Sequence, residues 1–291
     1  MRKSTSRGLL YGGAAVVLAG LVYGGFVRKV DQDWMTALSS AQFQMRIAYG
    51  MPAQDKAGHP LAAREQLLTS AAEQLAAAAR QVPDSPVLVE MQGFLASLRG
   101  DARTAAALYR QARMLPGCDA DQHDTLVFNE ARMLAQSGDR SAALAVLTEC
   151  GAGTQPKFAD QLILEQASLL YQLGKSEGAV ARLDLLMSNS KDPMAWMSAG
   201  SQYAEMGRND AADAAFAKAA TQVPVADYHR AKLKLTAGEV DTCLGLLENA
   251  VKANPTDTRR LLQQDAATWQ VLADNARYQQ ASAPASAAPG R

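Results

Sequence analysis

Aromatic residues are scarce in this chain of 291 residues, at 6%, against a hydrophobic content of 48% in which alanine is abundant. A β-sandwich draws on aromatic and β-branched side chains, so this balance favours closely packed helices. Three cysteines are too few for a disulfide scaffold. Net charge is absent too, because 29 basic residues cancel 29 acidic ones. That neutrality gives no reason to expect nucleic acid or an acidic lipid surface as a partner. Catalytic motifs are missing: there is no Walker loop and no Gly-x-Ser-x-Gly. Gly151-Ala152-Gly153 is a short glycine run with no strand before it, so it reads as a loop and not as a nucleotide cradle. His59, His123 and His229 lie in separate segments. The chain is therefore expected to be no enzyme and to need no cofactor or metal. Its densest polar cluster is Cys118, Asp119, Asp121, His123 and Asp124. This cluster lacks zinc spacing and reads as a solvated loop in which Asp121 or Asp124 caps the next helix.

One long uncharged run is present. Arg2, Lys3 and Arg7 precede Gly8 to Val27, and Arg28 and Lys29 close it. The run has about the ~20 residues a helix needs to cross a bilayer core. No Ala-x-Ala site follows the apolar core cleanly, which favours a retained anchor over a cleaved signal peptide. Gly20-x-x-x-Gly24 offers a weak helix-pairing face. The excess of basic residues before the span, with Asp31 and Asp33 soon after it, leans toward a cytoplasmic N-terminus and a large domain outside.

The stretch Met194 to Pro224 carries the strongest pattern. Trp196, Gly200 and Tyr203 recur at i, i+4 and i+7, so they share one helical face. Gly200 lets a neighbouring helix approach, and Gly207 suits a left-handed C′ position. Asp210 is placed to cap a second helix, on which Ala212, Phe216 and Ala219 face back onto the first. Pro224 stops that helix. Trp-x-x-Ala-Gly-x-x-Tyr, then Ala-x-x-x-Phe, then Pro resembles a tetratricopeptide repeat, with Ala199 in place of the usual Leu. The resemblance implies a helix-turn-helix unit and a general role in holding another protein.

The register recurs. Gly100, Gly138, Gly174, Gly207 and Gly238 sit at successive interhelix turns, spaced by 38, 36, 33 and 31 residues. Ala105, Ala143, Ala179, Ala212 and Cys243 follow five residues later. Tyr109, Leu147, Leu183, Phe216 and Leu247 follow four beyond that. A lone hairpin cannot bury its apolar face, so such units stack. The expected fold is all-α: a right-handed superhelical solenoid of helical hairpins with one N-terminal transmembrane helix. The expected division is 1–7 basic segment, 8–27 transmembrane helix, 30–82 juxtamembrane helices or a degenerate first repeat, and 86–255 repeats. A continuous capping helix at 256–278 and a disordered tail at 279–291 complete it.

In tetratricopeptide domains the first helix of each hairpin lines the concave face. Transferred by resemblance, the groove positions here are Glu90, Phe94, Phe128, Arg132, Leu164, Ser168, Tyr171, Met197, Ser201, Tyr228 and Lys232. The resemblance implies a protein or peptide partner carrying spaced apolar anchors, with an acidic group for Arg132 and Lys232. The alternative for Phe94, Phe128 and Leu164 is packing between adjacent repeats, to which Phe128 and Leu164 are as well suited as to ligand contact. Cys118 and Cys150 are placed for a disulfide if the domain faces an oxidising compartment, and Cys243 is expected to stay free. A structural subunit of a larger membrane complex, or an enzyme with a hidden groove site, are the alternative functions.

Overall fold

The computed structural model describes residues 29–55, 57–150 and 158–283. The expected basic segment, the transmembrane run and the glycine run at 151–153 lie outside them. The described residues are helical apart from turns and one isolated bridge between Gln54 and Pro60. None of their helices is long and apolar enough to cross a membrane. They form two compact units that divide between Val146 and Leu147.

The first unit begins with α1 (Lys29–Tyr49) and α2 (Ala62–Ala79). Gln44 Nε2 donates to Ser70 Oγ at 2.9 Å, and Arg64 Nε donates to Ala48 O at 3.3 Å, so the two helices run antiparallel. Then follow α3 (Pro86–Leu98), α4 (Ala102–Met114), α5 (Ala120–Gln136) and the start of α6 (Arg140–Cys150). Leu38, Met45, Leu68, Leu75, Leu88 and Leu95 form one core shared by α1, α2 and α3. Arg64 is buried there because its guanidinium also donates to Leu98 O at 2.6 Å, closing a helix end that would otherwise leave a bare carbonyl. Half-buried Arg113 and buried Glu130, with Nε and Oε2 2.6 Å apart, join α4 to α5.

The second unit holds α7 (Ala159–Gln172), α8 (Ser176–Asn189), α9 (Pro193–Glu205), α10 (Asn209–Ala220), α11 (Ala226–Thr236) and α12 (Val240–Ala253). After them come α13 (Pro255–Gln264), α14 (Ala266–Trp269), a 3₁₀ turn at Gln270–Leu272 and α15 (Ala276–Ser282). Leu183, Leu186, Trp196, Tyr203 and Phe216 centre one core, and Tyr228, Leu244, Leu247 and Trp269 centre the next.

One turn is repeated through both units. Gly100, Gly138, Gly174, Gly207 and Gly238 all have φ between 71° and 96°. Each glycine N–H bonds back three residues, and the next residue's N–H bonds back five, as in Arg208 N to Tyr203 O at 2.9 Å. This is the Schellman closure, in which the left-handed residue costs least as glycine. Helix starts differ from expectation. Asp210 lies in the first turn of α10, and the cap position is Arg208, with no side-chain bond. Asp119, not Asp121 or Asp124, caps α5 by accepting from Gln122 N at 2.8 Å. Pro224 does not end α10, which closes four residues earlier when Gln222 and Val223 N–H bond Ala219 O.

The glycines inside the hairpins match the bulk opposite them. A Cβ on Gly200 would meet Phe216 at 2.6 Å, and one on Gly93 would meet Tyr109 at 3.0 Å. Where the partner position carries Leu, as at Leu183 and Leu247, the small position carries Ala167 and Ala231, both fully buried. Aromatic against glycine and leucine against alanine hold the interhelix gap near constant volume.

The final helix is not continuous. It breaks at Asp265, whose Oδ2 accepts Tyr228 O–H at 2.7 Å and Lys232 Nζ at 2.6 Å. The break turns Trp269 fully into the core, where its Nε1 donates to Tyr228 Oη at 3.2 Å. A straight helix through 256–278 could not serve both contacts. Helix α15 extends to Ser282, four residues into the segment expected to be disordered.

Two alanine substitutions separate packing from propensity. Gly245 in α12 has nothing within 4 Å of an added Cβ. Gly245→Ala is expected to stabilise by roughly 0.5–1 kcal/mol in denaturant titration. Gly200→Ala gains the same propensity but is expected to lose about 1–3 kcal/mol to overpacking against Phe216. Adding Phe216→Leu should recover part of that loss. Equal stabilisation by both alanines would show that the Phe216 ring yields freely.

Candidate functional site

The register of the hairpins gives each first helix two equivalent positions one turn apart, an inner and an outer one. The inner row is Glu90, Phe128, Leu164, Met197 and Tyr228. The outer row, one turn on, is Phe94, Arg132, Ser168, Ser201 and Lys232. The expected groove combined the two, and the structure separates them. Phe128, Met197 and Tyr228 are buried at 6%, 9% and 1% exposure. They belong to the packing and are not groove surface, because a large apolar side chain at this position turns into the core. Glu90 takes the same position and is half-buried. Its Oε2 accepts from Gln122 Nε2 at 2.9 Å, and burial holds its carboxyl above the ordinary range despite that bond. Leu164 alone of the inner row in the second unit remains half-buried.

The outer row is more open. Arg132 is exposed and makes no hydrogen bond or ion pair among the described residues. Phe94 is half-buried and packs its ring 6.2 Å from that of Tyr49. Ser201 is exposed and donates to Met197 O at 3.1 Å. Lys232 is engaged by Asp265, so it is no free cation for an acidic ligand. Tyr171 is exposed, but its hydroxyl donates to Glu205 O at 3.0 Å, linking α7 to the end of α9.

Between α7 and α9 lies a cavity of about 520 Å³, within the range of ligand clefts, ~300–1,000 Å³. Leu164 and Ser168 line it, as expected. Asp160, Gln161, Glu165, Asp192, Met194, Ser198 and Gln202 line it as well and were not anticipated. The signal was legible: Gln161, Glu165 and Ser168 on α7, and Met194, Ser198 and Ser201 on α9, recur at i, i+4 and i+7, a row that faces away from the Trp196, Gly200, Tyr203 stripe. Asp192 caps α9 by accepting from Met194 N at 2.9 Å, and Asp160 Oδ2 accepts from Ser190 Oγ at 2.6 Å. Ser190 is held in turn by its neighbours, its Oγ accepting from Asp192 N at 3.0 Å and its carbonyl from Trp196 Nε1 at 3.2 Å. These bonds fix two carboxylates at the lip of the cavity.

Cys118 is a free thiol that donates weakly to Asp119 O at 3.7 Å, and burial raises its pKa. The Cys150 side chain, and with it the expected pairing to Cys118, lies outside the described residues. Cys243 is free and fully buried, and its pKa is pushed up to about 11 by that burial. His123 Nδ1 lies 3.6 Å from Asp124 Oδ1, and Asp124 is itself buried.

No protein-family model and no curated protein matches the chain. Solved structures do. The C-terminal part of a TPR repeat-containing protein from Cytophaga hutchinsonii superimposes with a TM-score of 0.54 at 12% identity, covering 84% of this chain and 92% of that one. The fold is that of a tetratricopeptide repeat array. PilF of Pseudomonas aeruginosa gives a TM-score of 0.48 at 13% identity, over 79% of this chain and all of that one. PilW, described as a type IV pilus biogenesis factor, gives 0.48 at 16% identity, over 80% and 97%.

His229 occupies the outer face of α11 one residue after Tyr228. Its ring stacks on Phe216 at 5.3 Å and meets Tyr228 edge-on at 5.5 Å. Burial lowers its pKa, the Lys232 charge lowers it further, and Asp265 opposes them. A depressed folded pKa means the unfolded chain takes up the proton first. The stabilisation is thus complete above the ordinary value of about 6.5 and is lost as pH falls through it. The thermal midpoint of the wild type is expected to fall between pH 8 and pH 5.5 by more than that of His229→Gln. Parallel curves for the two proteins would contradict the assignment.

Proposed function

We propose that this chain is a membrane-tethered scaffold that holds a segment of another protein against the first helices of its hairpins, chiefly in the cleft between α7 and α9. The observation that carries the reading is that cleft. It is open, is lined by one face of two successive first helices, and combines apolar Leu164 and Met194 with polar side chains. Grooves of that composition take extended or helical segments through spaced apolar anchors. The tether is the uncharged run Gly8 to Val27, and its flanking charges favour a domain on the outer side of the membrane. An assembly, secretion or chaperone role at the cell envelope suits such a layout. A second reading, a structural subunit of a membrane complex, is favoured by Phe43 and Tyr49 on α1, which stay 66% and 72% exposed. An obligate oligomer in gel filtration would support it.

Filling the cleft tests the first reading. Ser168 and Ser198 line it from opposite helices, and their side-chain hydrogen bonds are to residues one turn away on their own helices. Peptides selected by display on the full-length protein are expected to bind Ser168→Trp/Ser198→Trp at least about tenfold more weakly, a loss of ~1.4 kcal/mol, with the thermal midpoint nearly unchanged. Undiminished binding by the folded double variant would place the binding surface elsewhere.

A further inference from the structure

The charge around the cleft identifies the kind of segment it fits. Three carboxylates line the cavity, Asp160, Glu165 and Asp192, and the lining contains no Lys, Arg or His. The chain as a whole is neutral, so this is a local excess of negative charge. The two cations expected to draw an acidic partner do not offset it: Lys232 is committed to Asp265, and Arg132 belongs to the other unit.

A second observation points the same way. Gln202 lines the cavity, and its Nε2 donates to Leu164 O at 3.2 Å. That bond decides which end of the amide faces which way, since the reversed amide would set two oxygens against each other. The remaining Oε1 is buried and has no hydrogen-bond donor. A buried acceptor left without a donor costs about 1–3 kcal/mol. Beside the Gln161 amide and the Ser168 and Ser198 hydroxyls, the cleft wall thus carries three carboxylates and no cationic donor. Leu164 and Met194, the latter 59% exposed, supply apolar surface between them.

From this we propose that the cleft binds a cationic protein segment, one that places a Lys or Arg side chain among Asp160, Glu165 and Asp192 and an apolar anchor on Leu164 and Met194. The proposal rests on the cleft being the binding surface and adds the chemistry of its ligand. Lys and Arg carry donors and no acceptor, which suits a wall whose charged groups are all carboxylates. Their aliphatic stems lie well on apolar surface while the charged heads reach the carboxylates. Because the carboxylates sit at an open lip, their attraction acts through partly screened solvent and weakens with salt. Of the three, Glu165 has no hydrogen bond or ion pair among the described residues. It is the carboxylate that can be changed without disturbing a cap or the Ser190 contact.

Three synthetic peptides with the same Leu spacing test the proposal on the full-length protein. Their intervening positions carry Lys and Ser, Glu and Ser, or Gln and Ser. The lysine peptide is expected to bind at least tenfold more tightly than the other two, and to weaken as salt is raised. Glu165→Lys should weaken it about tenfold while leaving the thermal midpoint unchanged, and Ser168→Trp/Ser198→Trp should weaken it as well. If the glutamate or glutamine peptide binds as tightly and the tryptophan pair still blocks it, the charge inference is overturned and the cleft remains the binding surface. If the lysine peptide binds but neither variant weakens it, the cationic site is not this cleft. Binding by none of the three peptides overturns both readings.

Discussion

Close approach of two helices at a small residue is the constraint on which the rest of the structure depends. The Phe216 ring lies where a Cβ of Gly200 would have to be, and Tyr109 stands in nearly the same relation to Gly93. Within each hairpin the separation of the helices is thus set by one large and one small side chain. A hairpin closed in this way still carries apolar residues on the flank of its first helix. Met197 and Tyr228 are those residues in the second unit, and they are buried there because an isolated hairpin cannot cover them. Once that inner row is committed to packing, the row one turn away is left at the surface. Ser168 of that outer row lines the cleft between α7 and α9, together with Leu164 of the inner one.

Much of this was legible in the sequence because the repeat imposes period. Five glycines in one register announced five Schellman turns, and all five have left-handed φ. The apolar positions of Ala212, Phe216 and Ala219 are buried as their spacing required. The groove was legible only in part. Transferring positions by resemblance identified Leu164 and Ser168, but it merged an inner and an outer row that differ by one helical turn. Tyr228 shows why register alone misleads there. Its register placed it in the groove, yet its hydroxyl is satisfied in the core by Asp265, Leu261 and Trp269. That partner set comes from residues more than thirty positions later, which no local periodicity reports. The break of the last helix at Asp265 was hidden for the same reason. The run from Asp257 to Tyr278 has helical spacing, but a carboxylate within it is held by side chains of α11.

The polar residues of the second unit then divide by task. Those that satisfy backbone ends or each other, such as Asp192 at the start of α9 and Asp265 beside Lys232, make the scaffold rigid. Glu165, with no bond among the described residues, lines the cleft, and Gln202, another lining residue, keeps a buried Oε1 with no donor. A folded protein rarely leaves a buried acceptor unmet without cause. Here the excess of acceptors coincides with an open volume and exposed apolar side chains, the combination that a bound segment with donors would complete. Bonded and unbonded polar side chains are therefore neighbours on α7 and α9.

Site-specific photo-crosslinking tests the central claim, that the cleft between α7 and α9 is the contact surface. A photoreactive side chain would be placed in turn at Ser198, on the cleft, and at Ala214, exposed on α10. Each protein would be irradiated in its native cells, and the crosslinked segment mapped by mass spectrometry. The account predicts one recurrent adduct at Ser198, mapping to a single protein segment, and no such adduct at Ala214. A recurrent adduct at Ala214 with none at Ser198 would contradict it.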